Sequence, residues 1–483
     1  MSLQGKTINS FFWNAMGVFG RGGLNIVITI ILSRLLMPAD FGLLALLWVF
    51  STLSRVLIEC GFSQALIRDN EISDTKYFSV FAVNMVIALV IYIVLFFMTP
   101  FICRYYNAEE HIWMARVLFL TIPIEAAGII QITSLSKSMN FKVLAAAECF
   151  AALIAGIVAV IMAVLGCGCW SLTVNFLLNS VVMTLILWLR GGWKFVFSFR
   201  FSVIKEYFPF SINLLLAGFW DRLMCNLESL LIGRYYSKSD LSFFARAREL
   251  DAWTSQKLVS AIVMVTYPAL AQIRSDKKRF SHACREIIGV TFFVNTCLML
   301  FFIAAAPKIV LLLFGEAWKG TEIYMVPWCL YGIFFPLQSI CKNIFQAYGK
   351  TRLFLYLSFS RQILRIIVIV MTVQISIICM TWAIIGVAVL GVCLTGWFAA
   401  RVMQTSLLQI LWDSRITFLS AAAGYFSAKW IDVLVPTDNL IPALLLQGVV
   451  MAGAYFLTSI VLKNTYLHAV FYRILPELIK KMS

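Results

Sequence analysis

Long apolar stretches alternate with short polar segments along almost the whole chain. A helix that crosses a bilayer needs about 20 mostly apolar residues, and fourteen stretches satisfy that requirement. They lie at 11–36, 41–66, 77–99, 112–135, 143–165, 168–189, 208–233, 241–270, 286–312, 323–347, 353–375, 379–400, 416–434 and 440–462. The pattern predicts an all-α, polytopic membrane protein of about 14 transmembrane helices, in which the eighth stretch is unusually polar.

The composition agrees with this interpretation. Of 483 residues, 61% are hydrophobic and 13% are charged, about half the charged fraction of a soluble domain. Segments on the side of the two termini hold 22 of the 39 Lys and Arg residues, and the opposite segments, counted together with the span ends next to them, hold 7. The positive-inside rule therefore predicts cytoplasmic termini. Because no basic soluble domain is visible in the pattern, the net charge of +16 gives no reason to expect a nucleic-acid partner.

The chain repeats itself at a spacing of 200 residues. The segment "ILSRLLMPADFGLLA" aligns without a gap with "LIGRYYSKSDLSFFA", so that Asp40 matches Asp240. The same shift places Arg21 on Asp221, beside Arg222. Each repeat holds six spans, an even number, so the two halves are predicted to run in parallel around an axis along the membrane normal. Transporters built in this way hold their substrate between the halves, near the bilayer midplane.

The repeat predicts four segments. Residues 1–195 form an N-terminal lobe of six spans, and residues 196–402 form a C-terminal lobe of six spans. Residues 403–465 add two further spans. Residues 466–483 are short, amphipathic and basic, which is typical of a tail that lies on the cytoplasmic face.

Ten basic residues remain inside the predicted spans, where a charge costs about 2.5–3.5 kcal/mol on insertion scales and normally faces a cavity or a partner. We predict a hydrated, net-cationic cavity lined mainly by spans 1, 2, 7 and 8, which would attract an anionic solute. The candidate substrate-binding residues are Arg21, Arg55, Arg222, Arg246, Lys257, Arg361 and Arg365. The candidate coupling or ion-pair residues are Glu59, Glu125, Asp221, Glu228 and Glu249.

Local pairing is the alternative for each of these charges. Arg55 and Glu59 are spaced i,i+4, which places them on one helix face as a candidate ion pair. Arg21 has no acidic residue at i±3 or i±4. Two possibilities therefore stay open for Arg21, namely contact with an anionic cargo and a pair with Asp221. Arg116 lies near the end of a span, where a local contact is the expected explanation.

Spans 8 and 11 carry charges in helical register. In span 8, Arg246, Glu249, Trp253 and Lys257 are predicted to form a single stripe along the helix. In span 11, Arg361 and Arg365 are also spaced i,i+4 but have the same sign. These two arginines repel each other unless an anion or an acidic side chain lies between them.

No pattern of a catalytic or cofactor site is present in the sequence. It contains no phosphate-binding glycine loop, no helical His-Glu-x-x-His and no aspartate-rich sugar-nucleotide motif. The three histidines are far apart, and the twelve cysteines are scattered through apolar runs. We therefore expect a membrane protein that is not an enzyme and that needs no metal or cofactor. Any energy it requires would come from a gradient of a coupling ion such as H⁺ or Na⁺.

Two blocks of the sequence resemble a known family. The segments "KTINSFFWNAMGVFGRGG", "ILSRLLMPADFGLLAL" and "ECGFSQALIRDNEIS" look like the first two spans of Wzx-type polysaccharide flippases, particularly the colanic-acid branch. The block "LLLFGEAWKGTEIYMVPWCLYGIFFPLQSICKNIFQAYGKTRL" is similar to the ninth-to-eleventh-span region of that family. Its motif residues are Phe314, Gly315, Glu316 and Trp318 before span ten, and Ala347, Gly349 and Lys350 after it.

This resemblance implies the multidrug/oligosaccharidyl-lipid/polysaccharide (MOP) flippase superfamily, with two six-helix lobes in a V and two extra helices. It implies alternating access that moves an undecaprenyl-diphosphate-linked oligosaccharide to the periplasmic leaflet of the bacterial inner membrane. The product would be O-antigen, capsule or exopolysaccharide. The implied partners are the lipid-linked substrate, membrane lipids, and a polysaccharide polymerase with its chain-length machinery.

Two other functions fit parts of the pattern. A cation-coupled multidrug exporter of the same superfamily would have an acidic or aromatic cavity, whereas ten basic residues stand against roughly eight acidic ones within the predicted spans. A membrane-embedded polysaccharide polymerase or ligase usually has a sizeable periplasmic loop for its acceptor. The longest predicted loop here, about 303–322, is short and partly apolar.

Overall fold

The computed structural model describes residues 3–69, 73–273, 276–348, 350–434 and 439–469. Packing divides the chain into two compact units, Met1–Ser242 and Phe243–Ser483. Most of the predicted amphipathic tail, residues 470–483, lies outside the described residues.

The first unit consists of long helices that pack side by side. They are α1 (Leu3–Leu35), α2 (Pro38–Glu59), α3 (Phe62–Arg68), α4 (Asp74–Tyr105), α5 (Ile112–Phe119), α6 (Thr121–Lys137), α7 (Phe141–Val164), α8 (Cys169–Arg190), α9 (Phe201–Tyr235) and the start of α10 (Lys238–Asp251). α7 packs against α1 and α8, α6 packs against α4 and α8, and α2 packs against α9. Leu43, Leu118 and Phe119 are completely buried in the apolar core between them.

The second unit continues from α10 through a π-helical turn, Ala252–Gln256. Its further helices are α11 (Lys257–Gln272), α12 (Lys277–Ala304), α13 (Ala306–Leu313), α14 (Thr321–Ala347), α15 (Thr351–Thr372), α16 (Ile377–Val402), α17 (Leu407–Asp413), α18 (Arg415–Leu434), α19 (Leu440–Val461) and α20 (Thr465–Ala469). α14 packs against α11, α12 and α16, and α15 packs against α16. Because α18 packs against both α12 and α19, the two additional predicted spans belong to this unit.

Polar side chains cap the N-termini of helices in the second unit. The carboxylate of Asp276 accepts hydrogen bonds from the backbone N–H groups of Lys278 and Arg279, both at 3.1 Å, and caps α12. The hydroxyl of Ser376 accepts from the backbone N–H of Cys379 at 3.1 Å and caps α16. Each cap satisfies backbone donors that have no partner within the helix itself.

The fourteen predicted spans coincide with helices, but the structure interrupts some of them. Eleven of the described helices are long and apolar enough to cross a membrane. The predicted seventh, eighth and thirteenth spans coincide with α9, α10–α11 and α18, which are not among those eleven. The second predicted span breaks between α2 and α3, where Cys60 and Gly61 have left-handed φ values of 42° and 71°. The eighth is interrupted by the π-helical turn.

The two aligned segments of the repeat have the same local structure. α1 and α9 end 200 residues apart, and α2 and α10 begin 200 residues apart. Asp40 accepts a hydrogen bond from the backbone N–H of Met37 at 3.1 Å, and Asp240 accepts one from the backbone N–H of Ser237 at 3.3 Å. Both carboxylates therefore fix the N-terminus of the helix that contains them. The matched aspartates have a structural role in both copies.

The boundary between the compact units falls after Ser242, because α9 packs against α2, α3 and α4. The predicted C-terminal lobe begins at residue 196, and that lobe boundary stays a prediction. Gly42 shows how close the packing is, since a Cβ atom there would overlap the carbonyl oxygen of Lys238. The backbone of α2 thus touches the first residue of α10.

Candidate functional site

The first unit contains a network of five charged side chains from four helices. They are Arg21 of α1, Arg55 and Glu59 of α2, Glu125 of α6 and Glu148 of α7. Arg55 Nε lies 3.1 Å from Glu59 Oε1, and Arg55 Nη1 lies 3.7 Å from Glu125 Oε2. Arg21 Nη1 lies 3.4 Å from Glu148 Oε1. Two arginines and three glutamates give this network a formal charge of −1.

Both arginines of predicted spans 1 and 2 have carboxylate partners, so the local charge is not net positive, and their assignment to a substrate-binding cavity stays a prediction. The i,i+4 ion pair of Arg55 and Glu59 is confirmed. Arg21 pairs with Glu148, and the structure places Asp221, its predicted alternative partner, at an exposed position of α9.

The second unit contains a cavity of about 110 Å³ whose lining is cationic and aromatic. The lining residues are Trp328 and Tyr331 of α14, Arg361, Gln362 and Arg365 of α15, and Ile384, Ile385, Val387 and Ala388 of α16. We call this cavity the arginine pocket. The i,i+4 spacing places Arg361 and Arg365 on one face of α15, as predicted. None of the lining residues is acidic, so their formal charge is +2.

Neutral groups hold Arg361 in this pocket. The amide of Gln338 is oriented with its oxygen toward Arg361 and accepts a hydrogen bond from Nη2 at 3.0 Å. The amide nitrogen donates to the hydroxyl of Tyr331 at 3.0 Å. A Cβ atom at Gly391 would lie 2.5 Å from Arg361 Cδ, so the side-chain stem passes directly over this glycine of α16. Because the amide is neutral, it orients the guanidinium without cancelling its charge.

Two buried polar atoms in the pocket lining lack a partner. Trp328 Nε1 and Gln362 Oε1 form no hydrogen bond within the described part of the chain. A buried polar group left in this state costs about 1–3 kcal/mol, and a bound group that satisfies it would remove the cost. Two guanidinium groups, an indole N–H and two aromatic rings together suit a phosphate, a carboxylate or a sugar.

Residues 31–322 match the family described as polysaccharide biosynthesis protein. The chain belongs to this family. Residues 274–371, which include α14 and most of α15, also match the MatE family. The Arg361 and Arg365 positions lie within that second match.

Curated relatives of this family member share low identity over long stretches. The succinoglycan biosynthesis transport protein ExoT of Rhizobium meliloti is 26% identical over 66% of this chain and 64% of its own length. The lipopolysaccharide biosynthesis protein WzxC of Escherichia coli is 23% identical over 69% of this chain and 68% of its own length. The teichuronic acid biosynthesis protein TuaB of Bacillus subtilis is 20% identical over 77% of both chains. The match with ExoT thus spans slightly less than two thirds of that relative.

Solved structures with a similar fold are MOP superfamily transporters. A multidrug resistance MATE family transporter in an inward-facing conformation aligns with a TM-score of 0.57, at 15% identity, over 80% of this chain and 94% of that one. A MOP superfamily transporter from Pyrococcus furiosus aligns with a TM-score of 0.53, at 16% identity, over 83% of this chain and 95% of that one. At such low identity these similarities establish the fold alone, namely the all-α polytopic membrane fold that these transporters share.

The Phe-Gly-Glu-x-Trp motif of this family member surrounds a predicted site residue. The guanidinium carbon of Arg246 lies 5.8 Å from the ring centroid of Phe314 and 5.4 Å from that of Trp318. Arg246 Nη1 also lies 2.6 Å from Glu249 Oε2, and the arginine is only 7% exposed. Arg246 is therefore an anchored side chain in an aromatic setting, and its assignment to the cationic substrate-binding cavity stays a prediction.

The remaining predicted residues are not part of the lining of the arginine pocket. Asp221 and Arg222 are exposed on α9, whereas Glu228 of the same helix is buried. Lys257 is the first residue of α11, after the π-helical turn. Because a π turn has i→i+5 hydrogen bonds and changes the register of the following helix, the predicted stripe from Arg246 to Lys257 is not continuous.

Sequence reasoning missed Glu148 and Gln338 as partners of the arginines. Glu148 had a usable signal, since a carboxylate in an alanine-rich span is expensive without a partner. No sequence signal identified Gln338, because a neutral amide is common in a helix that has polar and apolar positions. Which group the amide contacts depends on how the helices pack. Arg116 follows the expected local explanation, with its guanidinium carbon 4.1 Å from the ring centroid of Phe96 and 4.8 Å from that of Trp113.

Proposed function

We propose that this protein is a secondary-type transporter that flips an undecaprenyl-diphosphate-linked oligosaccharide across the bacterial inner membrane. The cargo would move from the cytoplasmic to the periplasmic leaflet by alternating access, for O-antigen, capsule or exopolysaccharide synthesis. Membership of the polysaccharide biosynthesis protein family supports this proposal, as do relatives named for succinoglycan transport and lipopolysaccharide biosynthesis.

The arginine pocket is the structural observation that carries the proposal. A diphosphate group is anionic and accepts paired hydrogen bonds, which matches the fork geometry of guanidinium groups such as those of Arg361 and Arg365. Trp328 and Tyr331 offer aromatic faces and polar edges to a sugar ring beside it. A pocket of this charge disfavours the cationic compounds that a multidrug exporter carries.

The proposal includes orientation, energy source and partners. Both termini would be cytoplasmic, because Lys and Arg residues are concentrated in the segments on that side. The driving force would come from an H⁺ or Na⁺ gradient, and a polymerase with chain-length machinery would receive the exported unit. Flipping makes and breaks no covalent bond, so the proposed role is transport rather than enzymatic catalysis.

The decisive experiment replaces Arg361 and Arg365 with Gln, together, in a strain whose chromosomal copy of the gene is deleted. We expect loss of surface polysaccharide and accumulation of the lipid-linked oligosaccharide on the cytoplasmic side. Arg352→Gln, at an exposed position near the start of the same helix, is the matched control and should support normal export. Immunoblots of membranes establish that all variants are inserted at equal levels.

Other outcomes discriminate among the candidate functions. Normal polymer from the double variant would overturn the assignment of the arginine pocket to the cargo. Resistance to cationic drugs on overexpression, without a polysaccharide defect in the deletion strain, would favour a multidrug exporter. New glycosidic bonds formed by the purified protein would favour a polymerase or ligase.

A further inference from the structure

Asp251 is a fully buried carboxylate in the second unit, at the junction between α10 and the π-helical turn. Its Oδ2 accepts a hydrogen bond from Gln256 Nε2 at 3.0 Å. Its Oδ1 has no hydrogen-bond partner among the described residues. Across the same residues, no Lys or Arg side chain forms an ion pair with it. An unpaired carboxylate is costly in an apolar interior, and binding a proton removes that cost.

The surroundings of Oδ1 favour a proton over a metal ion. A Cβ atom at Gly332 would overlap Asp251 Oδ1 and would lie 2.8 Å from Met299 Sδ, so these groups are closely packed. The carbonyl oxygen of Gly332 already accepts hydrogen bonds from Ser255 Oγ at 2.9 Å and Asn295 Nδ2 at 2.8 Å. A hard cation needs several oxygen ligands around it. A proton needs only the one free carboxylate oxygen.

The π-helical turn creates this arrangement. Asp251 and Gln256 are five residues apart, and the wider turn brings the amide onto the carboxylate. Single π turns are rare in proteins and occur frequently at functional sites. The amide donates to one oxygen of the carboxylate and leaves the other available. The local backbone therefore presents a protonatable group that an ordinary α-helix would not hold in this position.

α14 connects this carboxylate to the arginine pocket. Gly332 contacts Asp251, and the preceding residue, Tyr331, lines the pocket. The titratable groups of α14 that interact electrostatically with Asp251 are Tyr331 and Cys329. At the same glycine, α12 contributes the neutral side chains of Asn295, which donates to the carbonyl oxygen of Gly332, and Met299. Arg361 and Arg365 of α15 interact electrostatically with Tyr331.

We propose that Asp251 is a proton-binding residue whose protonation strengthens anion binding in the arginine pocket. A negative charge on Asp251 opposes an anion in the neighbouring pocket, and protonation removes this opposition. If protonation of Asp251 is coupled to transport, the proton is the coupling ion, and this part of the inference rests on the proposed function. Proton binding by Asp251 does not rest on the proposed function.

Infrared titration of the purified full chain tests proton binding directly. Wild-type protein should show the C=O band of a buried protonated carboxyl, which disappears as the pH rises, and Asp251→Asn should lack this titrating band. Gln256→Leu keeps the carboxyl but removes a hydrogen bond to its ionised form, so its midpoint should move up by about one pH unit. An unchanged band in Asp251→Asn, or an unchanged midpoint in Gln256→Leu, would overturn the proposal. The second variant remains informative if the first fails to fold.

Equilibrium dialysis with labelled sulfate measures the coupling between protonation of Asp251 and anion binding in the arginine pocket. The charge of sulfate stays constant across the tested pH range. Wild-type affinity should rise several-fold as the pH falls through the infrared midpoint. Asp251→Asn should bind equally well at all tested pH values, at the low-pH affinity of the wild type. Retained pH dependence in this variant would refute the coupling. Arg365→Ala should lose sulfate binding yet keep the titrating band, so a failed arginine-pocket assignment is distinguishable from a failed proton site.

Discussion

Arg21 of α1 is paired with Glu148 of α7, with 3.4 Å between Nη1 and Oε1. The two helices pack against each other, so the pair links neighbouring elements of the first unit. The side chains are 40% and 21% exposed, which gives the pair a partly hydrated environment. The arginine within this apolar stretch thus has a partner 127 positions further along the sequence.

The first prediction concerns this pair. Arg21→Gln and Glu148→Gln should each lower the thermal unfolding midpoint of the protein in detergent, because each leaves a charged partner alone. A double-mutant cycle on the unfolding free energy should give a coupling of about 0.2–1 kcal/mol, the range of partly exposed ion pairs. Asp221→Asn is the control and should leave the midpoint unchanged. A loss in Asp221→Asn equal to that in Arg21→Gln would contradict the assigned partner.

The second prediction concerns the contact between α2 and the start of α10. Gly42→Ala adds a methyl group that overlaps the backbone carbonyl of Lys238, which cannot rotate away as a side chain could. We expect a loss of about 1–3 kcal/mol of unfolding free energy. Gly23→Ala is the matched control, since a Cβ there meets nothing within 4 Å. That change should be neutral or slightly stabilising, and equal losses in both variants would refute the contact.

The third prediction concerns the position of Arg361. Gly391→Ala places a methyl group 2.5 Å from Arg361 Cδ and should displace the guanidinium from the arginine pocket. Because the obstructing atom belongs to a flexible side chain, stability should change little while sulfate affinity falls several-fold. Gly386→Ala, on the same helix and with open space around its Cβ, should leave the affinity unchanged. Unaltered binding in Gly391→Ala would show that the pocket does not depend on this side-chain position.

The fourth prediction concerns orientation in the membrane. Cys167 is an exposed free thiol in the short connection between α7 and α8, for which the proposed topology predicts a periplasmic location. A membrane-impermeant maleimide added to cells whose periplasm is accessible should label it without lysis. Cys167→Ser shows how much signal comes from this residue. Labelling that requires disruption of the inner membrane would reverse the proposed topology.

Helix positions were largely predictable, because spanning a bilayer demands long apolar stretches whatever the helices pack against. The internal repeat was also recognisable in the sequence. Its matched residues Asp40 and Asp240 each accept a hydrogen bond from the backbone N–H three residues earlier. The interruptions were not predictable. The π turn after α10 and the left-handed residues at Cys60 and Gly61 change the direction or register of a helix without changing its average hydropathy.

The sequence by itself determined the class of the protein, its helical segments, and the residues whose charge required an explanation. Only the tertiary structure decided what each charge does. Arg21 and Arg55 are neutralised by glutamates, Arg246 is enclosed by aromatic rings, and Arg361 keeps its charge beside a neutral amide. The physical reason is that the free-energy cost of a charge within the membrane depends on the charged residue and its own span, both of which the sequence shows. The partner that offsets this cost comes from a different helix, and its position depends on packing.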